Sequence, residues 1–373
     1  MTVTPARPAI SSALQIESLL PPYNVEVARH TDALYARVED HVSAHDWPAM
    51  ACRVHAIRAL QREQDAVILA HNYMPPEIYA LVGDIRGDSL ALAREAAKSE
   101  ASTMVQAGVH FMAETSKILC PDKRVLMPDT HAGCSLAASI SGAQVRALKS
   151  RYPNVPVVTY VNTSAEVKAE SDICCTSSNA LNVVEAVAAE WGVDRVIMLP
   201  DEHLARNVAA RTPLSILVWQ GSCEVHEQFT PAQIGAIRRR HPGVQVLAHP
   251  ECPTSVLDAA DFSGSTAALE RWVDDHRPEQ VLLLTECSMS DNLISRHPQI
   301  EFVRSCTLCP HMQRITLDGI LASLAFGHHE VHVDESAAVR ARRAIEAMLV
   351  LPEPATPADF TRPARTSHVE VVS

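Results

Sequence analysis

Three short apolar runs recur at one spacing, and each stops in a polar cluster. Ala66-Val-Ile-Leu-Ala ends in His71-Asn72-Tyr73. Pro156-Val-Val-Thr ends in Tyr160-Val161-Asn162, and Val244-Gln-Val-Leu-Ala ends in His249-Pro250-Glu251. His71, Tyr160 and His249 follow one another at intervals of 89 residues. A second feature keeps the phase: Ser89, Ser177 and Thr266 recur at 88 and 89 residues, each opening a helical stretch as a Ser/Thr cap would. Another apolar strand follows in each unit, Arg124 to Met127, Arg195 to Leu199 and Val281 to Leu284. Strand, helix, strand is a βαβ element, which builds a parallel sheet. The period is too long for solenoid repeats of roughly 20–50 residues and too short for a full doubly wound domain. The pattern therefore predicts three small α/β domains related by approximate internal symmetry. Parallel sheets bind ligands beyond the carboxyl ends of their strands, so the three polar clusters are expected to converge on one central site.

The repeat sets the expected boundaries: α/β domains over 65–148, 149–237 and 238–330. Before them, Val27 to Val42 and Ala49 to Gln61 carry helical spacing, so 1–64 reads as a helical extension. After them, 331–351 reads as an amphipathic helix over Ala337 to Leu351. The Pro-rich stretch 352–373 reads as a disordered tail. Of 373 residues, 47% are hydrophobic and 20% charged, which is enough apolar chain for a sizeable core. The net charge of −12 argues against nucleic acid or an anionic membrane as partner. It leaves an anionic small substrate open, because a pocket can be locally basic. No apolar run approaches a membrane span, and the first twenty residues lack a signal-peptide core, so the chain is expected in the cytoplasm.

Ten cysteines in a reducing compartment are packing residues, metal ligands or catalytic thiols. One per unit keeps the phase: Cys134, Cys223 and Cys309, at 89 and 86 residues. Soft thiolates favour zinc or iron–sulfur clusters. A structural zinc site takes four ligands, and no fourth in-phase ligand exists. A [4Fe–4S] cluster held by three Cys leaves one iron without a protein ligand, and an open position is what a Lewis acid needs. That points to dehydration rather than electron transfer. Cys52, Cys120 and Cys287 read as buried packing residues, as do Cys252 and the adjacent Cys174 and Cys175. Cys306 and Cys309 form a lone C-x-x-C, a weak signal for a thiol–disulfide switch.

At these residues the chain resembles the quinolinate synthetase A family. The matching stretches include His71-Asn-Tyr with Pro76-Glu77-Ile78, Gly87-Asp-Ser-Leu90, Met127-Pro-Asp129 with Ala132-Gly-Cys-Ser-Leu136, and Tyr160-Val-Asn-Thr-Ser-Ala-Glu-Val-Lys168. They continue through Thr176-Ser-Ser-Asn179, Leu199-Pro-Asp-Glu-His-Leu204, Trp219-Gln-Gly-Ser-Cys-Glu-Val-His226, His249-Pro-Glu251, Gly264-Ser-Thr266 and Cys306 to Met312. The resemblance implies three α/β domains with pseudo-threefold symmetry around one central [4Fe–4S] cluster, held by Cys134, Cys223 and Cys309. It implies condensation of iminoaspartate with dihydroxyacetone phosphate to quinolinate, with loss of phosphate and two waters, in de novo NAD synthesis. An upstream L-aspartate oxidase is the implied candidate partner. His71, Ser89, Tyr160, Val161, Asn162, Ser177, His249, Pro250, Glu251 and Thr266 would line the substrate site. The chain departs from the family at Val303, where many members carry the first Cys of a C-x-x-C-x-x-C.

In roles, His71 and Tyr73 would move protons, Glu251 would serve as general acid or base, and Tyr160 would polarise a leaving oxygen. Ser89, Ser177 and Thr266, at helix starts, suit carboxylate or phosphate; simple N-capping is the competing reading of each. Two other functions share these residues. One is a different open-iron hydro-lyase acting on a hydroxy-acid. The other is a non-enzymatic iron–sulfur or zinc thiol sensor at Cys306 and Cys309, which would not need the phased His, Tyr and Glu.

Overall fold

The computed structural model describes residues 10–304, 307–352, 359–361 and 368–372. Its centre is three parallel sheets in chain order. The first holds β1 (Ala66–His71), β2 (Ile85–Gly87), β3 (Thr103–Ala107) and β4 (Arg124–Leu126), ordered β2-β1-β3-β4. The second holds β5 (Val157–Tyr160), β6 (Ile173–Cys175), β7 (Arg195–Leu199) and β8 (Ser215–Trp219). The third, with β9 (Gln245–Ala248), β10 (Phe262–Ser263), β11 (Gln280–Leu284) and β12 (Glu301–Val303), runs β10-β9-β11-β12. The same strand order recurs in each unit, so the repeat seen in the sequence is a repeat of topology. Helices cover the sheets, which is why β3 and β5 are buried along their whole length.

The expected strand pairing needs one correction. Arg124 to Met127 was matched with Arg195 to Leu199 and Val281 to Leu284. The last two are the third strands β7 and β11, whereas Arg124–Leu126 is the fourth strand β4. The first unit's third strand is Thr103–Ala107, whose Gln106 broke the apolar pattern.

The stretch before β1 holds helices Ile10–Glu17, Val25–Tyr35 and Trp47–Glu63. Asn24 caps the second, its Oδ1 accepting from Glu26 and Val27. The third packs on β1 and on helix Leu317–Phe326, where Arg53 pairs with Asp318 at 2.7 Å. That second contact ties the end of the segment 238–330 to the N-terminal helices. Helix Leu317–Phe326 also packs on β3, and Met127 N–H donates to His329 O, so this segment returns to the first sheet. The expected C-terminal helix is Glu335–Val350, packed against helices Ala165–Glu170 and His110–Leu119.

The tail is not disordered throughout. His368–Val372 forms β13, a parallel edge strand that extends the second sheet to β13-β8-β7-β5-β6. Its Val-rich run pairs far from its sequence neighbours, which local composition does not reveal. One hydrophobic cluster runs through all three sheets, joining Val54, Ile68, Val105, Val158, Val218, Val246, Leu282 and Ala341. The three units are thus one packed body. No described helix is long and apolar enough to cross a membrane.

Candidate active site between the three sheets

His71 ends β1, Tyr160 ends β5, and His249 follows β9, so the carboxyl ends of the three first strands present the polar clusters. They meet in one cavity. Its lining includes His71, Tyr73, Ser89, Tyr160, Asn162, Ser177, His249, Glu251 and Thr266, together with all three in-phase cysteines. Val161 and Pro250 do not line it. The Val161 N–H donates to Cys175 O, and the Pro250 carbonyl accepts from Asn207. Cys306 lies outside the described residues. Cys287, read as a packing residue, is buried and disulfide-bonded.

The three helix-start hydroxyls are not caps. Asp88 caps helix Ser89–Lys98 by accepting from Ala91 N–H, and Ser265 caps helix Thr266–His276 through Ala268 N–H. In the second unit Asn179 Oδ1 accepts from Thr176 N–H, while Ser177 lines the cavity. Ser89 and Thr266 therefore stand one position inside the cap, with capping assigned to their neighbours. Thr266 Oγ1 accepts from Asn72 Nδ2 at 3.1 Å.

A connected polar chain crosses the cavity. Tyr160 donates to Glu251 Oε1 at 2.5 Å. Glu251 Oε2 lies 2.9 Å from His226 Nδ1, and His226 Nε2 lies 3.1 Å from Thr285 Oγ1. Thr285 Oγ1 is in turn 2.6 Å from the Tyr73 hydroxyl. His226 stacks on His249 with ring centroids 4.6 Å apart. Burial alone would raise the Glu251 pKa, but the His226 and His249 imidazoles and the bonds from His226 and Tyr160 hold it well below the carboxylate range. Asp201, buried near that charge, is pushed up. Burial lowers His71 to about 4 and His249 to about 3, so both are neutral at pH 7. Burial and the nearby Glu251 raise both Tyr73 and Tyr160 well above the phenol value, which keeps them as O–H donors.

Three of these groups escaped sequence reasoning. His226 sits three residues after Cys223 with no counterpart in phase. Thr285 and Glu286 directly follow β11; applying the strand-end rule to third strands as well as first strands would have found them. Glu286 lines the cavity, burial raises it to about 7, and its Oε1 accepts from Cys309 N–H.

The thiols are positioned by their loops. Ser135 Oγ donates to Ser222 O and accepts from Glu224 N–H, stitching the Cys134 loop to the Cys223 loop. Burial pushes Cys134 up to about 12, Cys223 well above its ordinary value, and Cys309 up as well. All three cysteines are half-buried, and their thiols are held toward the neutral form until a bound cation displaces their protons. Among the described residues, the donor atoms that crowd within 4.8 Å here are those of Cys223, His226 and Glu251, not the three thiols with one another. The three sulfurs therefore do not form a single-ion site among the described residues.

The family described as "Quinolinate synthetase A protein" matches residues 55–350. "Quinolinate synthase" of Caulobacter vibrioides (strain NA1000 / CB15N) is 54% identical over 349 residues, covering 94% of this chain and 95% of that protein. "Quinolinate synthase 2" of Mesorhizobium japonicum is 59% identical over 318 residues, covering 85% and 97%. "Quinolinate synthase" of Xylella fastidiosa is 58% identical over 298 residues, covering 80% and 87%.

Proposed function

This chain belongs to the quinolinate synthetase A family, enzymes of NAD biosynthesis, and on that premise we propose that it condenses iminoaspartate with dihydroxyacetone phosphate to quinolinate, releasing phosphate and two waters. The reaction would run in the cytoplasm, downstream of an L-aspartate oxidase. The observation that carries the reading is the chain Tyr73–Thr285–His226–Glu251–Tyr160, running along the cavity that also holds the three thiols.

Both substrates are anions. The hydroxyls of Ser89, Ser177 and Thr266, with the free N–H groups of the helix starts, would bind carboxylate and phosphate. Asn162 Oδ1 is buried without a hydrogen-bond partner. Such an acceptor is costly until filled, and an N–H or hydroxyl of the substrate would fill it. Glu251, ionised and already accepting from Tyr160, would act as general base, with Tyr160 passing the proton between substrate and carboxylate. At the other end Tyr73 would take a proton from the substrate on its oxygen while passing its own to Thr285, which hands its proton to His226 Nε2. With Nδ1–H directed at Glu251, His226 Nε2 accepts from Thr285, whose oxygen accepts from Tyr73. His71, neutral and set edge-on to Tyr73 with ring centroids 4.7 Å apart, would accept a proton during triose isomerisation. Cys134, Cys223 and Cys309 would hold a [4Fe–4S] cluster, which supplies a Lewis acid for loss of a hydroxyl as water.

The test is anaerobic purification with iron and sulfide analysis and a quinolinate assay on one sample. About four iron and four sulfide per chain with quinolinate formation are expected. Stoichiometric zinc without iron, held by Cys223, His226 and Glu251, would overturn the cluster assignment. A loaded protein that forms no quinolinate from these substrates would favour another hydro-lyase.

A further inference from the structure

Each cavity loop leaves its strand end by the same path, and each has one main-chain carbonyl gripped from the side. Counting three residues beyond His71, Tyr160 and His249 reaches Met74, Thr163 and Cys252. Asn292 Nδ2 donates to Met74 O at 2.8 Å and to Asn72 O at 3.1 Å. Asn207 Nδ2 donates to Cys252 O at 3.1 Å and to Pro250 O at 2.8 Å. Lys168 Nζ donates to Thr163 O. All three side chains are buried, and Lys168 is wholly enclosed.

Their origins are cyclic. Asn292 lies on helix Ser288–Ile294, after the third strand of the third sheet, and grips the loop of the first. Asn207 lies on helix Glu202–Ala209, after the third strand of the second sheet, and grips the loop of the third. The corresponding helix of the first sheet, His110–Leu119, reaches the second loop through Glu114, whose Oε2 accepts from Ala165 N–H at 3.0 Å. There the carbonyl grip passes to Lys168. No described carboxylate lies within 4 Å of its ammonium, which rests 5.5 Å over the Phe111 ring of the first unit. A buried ammonium without an ion pair is costly, and the Thr163 carbonyl is the one hydrogen-bond acceptor it has among the described residues.

We propose that Asn207, Asn292 and Lys168 are positioning residues, one for each strand-end loop, that fix where His71, Tyr73, Tyr160, Asn162, His249 and Glu251 point. They touch neither the cavity nor its contents. Each acts through the main-chain carbonyl three residues past the strand-end side chain. Because two grips cross between units, they also set the angle at which the units meet. The inference deepens the proposed function and rests on it for what the loops hold.

The test uses the full chain with Asn207→Leu, Asn292→Leu and Lys168→Met, each close in shape to the residue replaced. Asn182→Leu is the control: a half-buried asparagine bonded to Pro352 O, away from the cavity. Hydrogen exchange on the metal-free protein reads position without substrate. Asn207→Leu should speed exchange within 249–252 and leave 71–74 protected, and Asn292→Leu should do the reverse. In the loaded enzyme kcat should fall about 10–100-fold, the usual range for outer orienting groups, while KM changes less than about threefold. Asn182→Leu should match wild type in both. Exchange rising evenly over the chain, or unchanged kcat in Asn207→Leu, would overturn the proposal. If one variant does not fold, the other two carry the same comparison. Failure of the wild type to form quinolinate would strike the proposed function alone, because the exchange pattern does not depend on substrate identity.

Discussion

Gly221, two residues before Cys223, is where one added methyl should do most harm. A Cβ there would stand 2.5 Å from Pro200 O and 2.5 Å from Ser139 Oγ. The first is backbone and has little room to yield. Gly221 N–H donates to Pro200 O at 3.0 Å, and Gly221 O accepts from Glu202 N–H at 2.7 Å. The strands β7 and β8 are therefore drawn together at this point, and the methyl must force them apart. Overpacking a buried site costs about 1–3 kcal/mol, and weakening two hydrogen bonds adds about 1 kcal/mol. Gly221→Ala should thus cost about 2–4 kcal/mol, which multiplies the unfolding constant roughly thirty- to a thousandfold. Gly192 is the matched control. Its φ is +65° and nothing lies within 4 Å of its Cβ position, so Gly192→Ala costs only the left-handed strain of about 1 kcal/mol. Urea midpoints of the metal-free proteins measure the difference. Iron uptake under identical reconstitution measures its reach to Cys223 and should fall in Gly221→Ala alone. A Gly221→Ala midpoint equal to wild type, or one no lower than that of Gly192→Ala, would refute the packing argument.

Other expectations follow from the site. Cys223→Ser should abolish iron–sulfur assembly, whereas Cys120→Ser, whose thiol sits 3.2 Å from Ala96 O away from the cavity, should leave iron content unchanged. Glu251→Gln should keep the cluster and lose about 10²–10⁴-fold in turnover, the range for a general acid or base; wild-type activity would remove Glu251 from the proton path. His71 titrates at about 4 when folded and near 6.5 when unfolded, so between those values the unfolded chain binds more protons. Stability of the metal-free protein should then fall as pH drops from 6.5 toward 4, by on the order of 3 kcal/mol from this group. His71→Asn should flatten that part of the urea-midpoint profile, and an unchanged slope would show that His71 is not held neutral by burial.

Much of the architecture was legible because the chain repeats itself. The interval between His71, Tyr160 and His249 located three first strands and, through them, the cavity. The same phase picked Cys134, Cys223 and Cys309 out of ten cysteines. Legibility failed where structure depends on contacts between units. Arg124–Leu126 was matched to the wrong strand because β3 carries Gln106, whose amide bonds Leu69 O and whose carbonyl accepts from Ser116. β13 was missed because its partner β8 is some 150 residues away in sequence. His226 was quoted within a motif yet given no role, since only the folded chain sets its ring between Cys223, Glu251 and Thr285.

The same comparison explains how a repeated scaffold runs an asymmetric reaction. The carbonyl three residues past each strand end is gripped in every unit, so the backbone path is kept. The side chain two residues past each end is not kept: it is Tyr73, Asn162 and Glu251. The first is an O–H donor held protonated, the second an acceptor awaiting a partner, the third an ionised carboxylate. The proposed condensation of two different substrates would require groups of unlike proton affinity at one centre. A threefold scaffold supplies equivalent places for them, and the environment of each place separates their proton affinities. His226, with His249 and Tyr160, holds that carboxylate ionised, and no unit but the second carries a histidine three residues after its cavity cysteine.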